Sequence, residues 1–136
     1  MSEAAIRSSG PARLGLWAGR VLTGLVVLFL ALDCAMKLAD MPQVRAAAVQ
    51  IGWPVGLDRT LGVTELVCLV LYAVPRTAVL GAILTTGLLG GAVAAHLRLR
   101  DPLLSHVLFG VYIGVMAWGG LWFRDKRLRA LLPLVR

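Results

Sequence analysis

Charge is scarce in this chain of 136 residues, and acidic charge scarcest: seven Asp and Glu stand against fourteen Lys and Arg. Cysteine and histidine occur only twice each, as Cys34, Cys68, His96 and His106. There is no CxxC pair, no phosphate-cradling glycine loop, no nucleophile elbow and no HExxH. Dithiol redox chemistry, nucleotide-phosphate chemistry, serine hydrolysis and metalloprotease chemistry therefore lose their usual sequence support. Also missing are an internal repeat, a low-complexity tract and any polar stretch long enough to fold as a water-soluble catalytic domain. Cys34 and Cys68 both fall inside apolar runs, where a thiol packs as a small apolar group; a redox pair is the sharper alternative.

Apolar residues are what the chain has in plenty. They make up 59% of it, and the mean hydropathy is +0.83. A soluble domain of this length could not bury so much apolar surface. Four runs carry it: Trp17–Leu38, Leu57–Val74, Thr77–Leu97 and Pro102–Phe123. At ~1.5 Å per residue a helix needs about 20 residues to cross hydrocarbon, and each run comes close. The expected fold is all-α, an integral membrane four-helix bundle over residues 14–123 between a basic N-terminal segment (1–13) and a basic tail (124–136). The first run is too long for a signal peptide, and Asp33 and Lys37 stand where small residues would mark cleavage.

The net charge of +7 would raise nucleic acid as a partner for a soluble protein. Here the cations lie on loops and ends, where they set topology and meet anionic lipid, so no nucleic acid is expected. Arg7, Arg13, Arg20, Arg76, Arg124, Lys126, Arg127, Arg129 and Arg136 share a side with the termini. They outnumber Lys37, Arg45, Arg59, Arg98 and Arg100 opposite. That bias predicts an inner (cytoplasmic) membrane protein with both termini in the cytoplasm.

The connections refine this picture. Residues Asp40–Ile51 predict a short interfacial helix capped by Asp40, with Pro42 in its first turn and Gly52-Trp53-Pro54 ending it. Asp58 is a candidate cap for the second span, Pro75-Arg76 a tight turn, and Asp101-Pro102 a capped start for the fourth span. Gly15 and Gly19, Gly87 and Gly91, and Gly110 and Gly114 are each spaced four apart, for close packing within the bundle or a homodimer face. Trp17, Trp118 and Trp122 fit an inner aromatic belt and Trp53 an outer one, with Tyr72 as a further inner anchor. Arg20 is expected to snorkel to the inner interface.

Ionisable groups inside apolar helices cost roughly 2.5–3.5 kcal/mol each at mid-span, so they tend to mark a site. Asp33 and Lys37 on the first span, Glu65 on the second, His96 on the third and His106 on the fourth all fall at one level, in the outer half. Groups of both signs at one depth can hydrogen-bond one another and form a pocket that is apolar below and titratable at its mouth. Glu65, the deepest, is the first candidate acid or base. Asp33 with Lys37 also reads as a plain i,i+4 ion pair, and the histidines as ordinary interfacial residues. Arg98 lies close enough to attract an anion. Two histidines with Glu65 make only a thin case for zinc or haem.

With these residues in hand, the chain resembles the DoxX-like family of small four-helix membrane proteins, from about Leu14 to Phe123. The resemblance rests on Lys37-Leu38, Ile51-Gly52-Trp53-Pro54, Leu61-Gly62-Val63-Thr64-Glu65-Leu66 and Gly91-Ala92-Val93-Ala94-Ala95-His96-Leu97. It implies the four-helix fold, with Glu65 and His96 at the family's polar positions. Namesake relatives are linked to thiosulfate oxidation with quinone as acceptor, others to oxidative-stress complexes. The sequence carries no extra cysteine-bearing domain for sulfur chemistry.

The leading expectation is a redox-associated subunit that binds a quinone or similar lipophilic molecule, partnered by a membrane redox protein. Glu65, Asp33, His96 and His106 would handle protons, while Lys37 and Arg98 would favour anionic or reduced forms. A cofactor-free acid–base enzyme acting by isomerisation, cyclisation or hydration is the alternative, and a non-catalytic assembly scaffold the third.

Overall fold

A computed structural model describes the backbone of residues 3–131 and the side chains of residues 13–131. Arg7 and Arg136, counted above for topology, lie outside the described side chains. Every regular element among the described residues is helical: α1 (Glu3–Leu38), α2 (Pro42–Gln50), α3 (Leu57–Ala73), α4 (Ala78–Arg98), a π-helical turn (Leu103–Val107), α5 (Phe109–Arg124) and α6 (Lys126–Leu131). Among the described residues three stretches are long and apolar enough to cross a membrane: Arg13–Leu38, Ala78–Arg98 and Leu103–Arg124. The fourth, α3, has 17 residues, or about 26 Å. It is too short to meet that standard, and it also carries Asp58, Arg59 and Glu65.

The four long helices form a ring. α1 packs on α3 and α5, and α4 packs on the same two, so the diagonal pairs α1–α4 and α3–α5 stand further apart. Half of the ring's interior is a solid core built from Val26, Leu30, Leu69, Tyr72, Ala82, Ile113, Ala117 and Leu121. Tyr72, expected at an interface, is fully buried there and donates its hydroxyl to the Ala117 carbonyl at 2.9 Å. A phenol so placed satisfies its one polar group inside the bundle and has no need of water. Trp118 is likewise no simple belt residue; its indole N–H reaches Thr86 Oγ1 on α4 at 2.8 Å.

Close approach explains two of the glycine pairs. A Cβ on Gly19 would meet Phe123, Arg124 and the Gly120 carbonyl within 2.9 Å, and one on Gly110 the Leu89 carbonyl at 3.1 Å. Gly81 is tighter still, its missing Cβ falling on the backbone of Leu71 and Tyr72 where α3 and α4 cross beside the Pro75-Arg76 turn. Gly87 and Gly91 differ: nothing lies within 4 Å of either position, so they thin a wall and pack against no helix.

None of the three expected carboxylate caps forms. Asp40 instead sits at the left-handed residue that ends α1 (φ 55°), and its carboxylate pairs with Arg45. Asp58 is already inside α3, whose cap is Gly56 at φ 91°. Asp101 follows the left-handed Arg100 that ends α4 and turns its carboxylate back to His96. No side chain caps these helix starts, and the carboxylates of Asp40 and Asp101 go to side-chain partners instead. Within the basic C-terminal segment, Lys126–Leu131 is helical, with Leu128 buried against the core.

Candidate functional site

At the end of the ring where α1 and α4 finish and α3 and α5 begin, the core gives way to a cavity of about 570 Å³. Its deep walls are Phe29 and Leu30 of α1, Leu61 of α3, Leu88, Ala92 and Val93 of α4, and Phe109 of α5. Gly87 and Gly91 face it and leave it wide. α2 lies across the end as a roof, presenting Val44, Ala47, Ala48 and Ile51, with Trp53 beyond it. Arg98 pins this roof, donating from Nη2 to the Ile51 carbonyl at 2.6 Å. The guanidinium reaches that carbonyl because Gly52, at φ 80°, has no Cβ to stand in its way. Arg98 itself does not line the cavity.

Five residues singled out by depth, Asp33, Lys37, Glu65, His96 and His106, all line this space. Lys37 Nζ lies 2.6 Å from Asp33 Oδ2, one turn back on its own helix, and 2.6 Å from Glu65 Oε2 on α3. The i,i+4 pair is therefore one arm of a three-membered cluster that ties α1 to α3. Glu65 is 1% exposed, and the ammonium across from it offsets the cost of burying its charge. Cys34 and Cys68 are buried free thiols, Cys34 donating to the Gly62 carbonyl at 3.3 Å.

On the opposite wall His96 Nδ1 lies 2.6 Å from Asp101 Oδ2. That carboxylate orients the ring and leaves Nε2 for exchange with something else. The His106 ring stands edge-on to it, centroids 5.8 Å apart, with Ser105 Oγ 2.8 Å from His106 Nδ1. His106 belongs to the π-helical turn, whose wider winding is defined by bonds such as Leu108 N–H to the Leu103 carbonyl. Such turns are rare and frequently fall at functional sites. Among the described residues no three His, Cys, Asp or Glu side chains gather as a metal site would require.

Two participants escaped the reading by depth. Asp58 lines the cavity and is 3% exposed, with Oδ2 making no hydrogen bond among the described residues. Its signal was present, since Asp58 and Glu65 are seven apart, two helical turns on one face. Asp101 escaped because its contact with His96 depends on how α4 ends, with Asp101 N–H bonded to the His96 carbonyl at 3.1 Å.

Chemically, the arrangement offers an apolar chamber the size of small-molecule sites, with a carboxylate–ammonium cluster on one wall and a carboxylate-oriented imidazole on another. Comparison with known proteins yields a match to the sequence profile of the DoxX-like family over residues 21–120, about three quarters of the chain. No curated protein and no solved structure matches it.

Proposed function

The chain belongs to the DoxX-like family and is a membrane protein with apolar helices, and on that premise we propose that its roofed cavity holds a lipophilic small molecule. One observation carries the reading: four separate segments bring charged or titratable groups to one chamber whose remaining walls are apolar. Such groups are costly in a bilayer unless they serve something. In its narrower form, suggested by the resemblance, the lipophile is a quinone. Glu65, Asp33, His96 and His106 would then exchange protons with its head, while a partner subunit with its own redox cofactor supplies electrons. α3 completes a fourth crossing in this reading, in the cytoplasmic membrane with both termini inside.

Extraction of the purified protein, with a reduced-minus-oxidised optical spectrum in the presence of candidate partners, tests the proposal. A stoichiometric lipophile is the expected result. Absence of any bound or bindable lipophile would overturn the reading, and a non-quinone lipophile only its narrower form.

The His96–Asp101 pair favours a second reading, acid–base turnover of a small apolar compound without a cofactor. A bell-shaped pH profile abolished by Glu65→Gln, in a protein that stays folded, would select it.

A further inference from the structure

We propose that Asp58 is a ligand-contacting residue, accepting a hydrogen bond from the donor head of an aromatic lipophile, hydroxyl or ammonium. The proposal rests on the reading of the cavity as a ligand site and adds the chemistry of what enters it. Its starting point is the orphaned Oδ2, which lies on a side chain 97% buried. Buried polar atoms are almost always satisfied, and one left bare costs free energy comparable to a lost hydrogen bond. Every other carboxylate at this end has a partner: Asp33 and Glu65 share Lys37, Asp40 holds Arg45, and Asp101 holds His96.

Counting what faces the chamber gives the head its character. α1 contributes Asp33 and Lys37, α3 contributes Asp58 and Glu65, α4 contributes His96, and the π-helical turn contributes His106; α2 and α5 present apolar groups. Lys37, the lysine lining the chamber, is already bonded to two carboxylates, and Arg98 at the end of α4 is bonded to the Ile51 carbonyl. Both histidines have Nδ1 engaged. Acceptors thus outnumber donors, and a head bringing only carbonyl or carboxylate oxygens would add to the excess. A hydroxyl or ammonium head corrects it; of a quinone couple, only the reduced, hydroxyl-bearing form meets this requirement. Lys37 and Arg98, expected to favour an anionic form, both have protein partners already.

The aromatic preference comes from the walls. Phe29 and Phe109 meet edge to face with centroids 5.1 Å apart, and Trp53 joins them at the rim. Rings arranged this way receive another ring at an edge or face, and they also favour a cation.

Four probes of one skeleton separate the alternatives: para-hexylphenol, para-hexylbenzylammonium, para-hexylanisole and para-hexylbenzoate. Binding to the full chain in lipid nanodiscs is measured by calorimetry, with empty nanodiscs as blank. At least one of the two donor probes should bind about tenfold more tightly than the anisole, the benzoate being weakest, and their order shows which donor fits. Asp58→Asn, with an unchanged melting temperature, should shrink that preference to about threefold or less. Equal binding of phenol, ammonium and anisole by the wild-type protein overturns the proposal, even if the variant does not fold. So does a donor preference that survives Asp58→Asn. If none of the four binds, the cavity is no ligand site and the wider reading falls with it.

Discussion

Lys37 joins two helices through two carboxylates. Its ammonium neutralises Glu65 within the helix ring and Asp33 beside it, both at 2.6 Å. Removing one member of a buried ionic cluster strands the others, at a cost of about 3–5 kcal/mol. Lys37→Met should therefore destabilise the protein by about that amount, and adding Glu65→Gln should recover much of the loss, as read from melting of the wild type and both variants in one detergent. A different result is expected at Gly87, where a new side chain meets open space. Gly87→Leu should leave melting nearly unchanged and abolish lipophile binding by filling the chamber. Depth along a helix was enough to gather Asp33, Lys37, Glu65, His96 and His106, because rise per residue converts position directly into level. Asp58 was misread as a cap for want of one further step, the two-turn spacing that sets it on Glu65's face. Tyr72 was misread because nothing in its local sequence announces the Ala117 carbonyl waiting on α5.

Three helices stop at the cavity end by one device. α1, α2 and α4 each close with a left-handed residue, at Asp40, Gly52 and Arg100, and with a doubled backbone bond such as Met41 N–H to the Met36 carbonyl. The sequence betrays only the glycine version; at the other two a charged residue occupies a backbone conformation that L side chains resist by about 1–2 kcal/mol. That is why the starts of α2 and of the π-helical turn were wrongly assigned carboxylate caps. Arg100→Gly should relieve the strain and raise stability by up to about 1 kcal/mol, the gain being reduced by the greater freedom of glycine in the unfolded chain. A higher melting temperature with unchanged ligand affinity is the expected pair of results. The existence and order of the long helices were legible from run length alone. The π-helical winding around His106 was not, since it reflects how the fourth segment seats against α4.

Between the four long helices the ring leaves no slack in topology. An even number of crossings returns the chain to its starting side, whereas three crossings would leave the termini apart. Reporters fused at either end should both give the cytoplasmic signal, and one inserted after Trp53 the opposite signal; a split result between the two ends would show that α3 does not cross. The core and the cavity divide this ring lengthwise, one end filled by Tyr72, Leu121 and their neighbours, the other hollow beneath α2. Such a molecule has a rigid foot and a compliant head. Hydrostatic pressure acts against voids, so compression should first release amide protons around Ala47 and Trp53 to exchange while those around Tyr72 stay protected. A tight occupant would abolish the contrast, letting the molecule report whether its chamber is full by how evenly it yields.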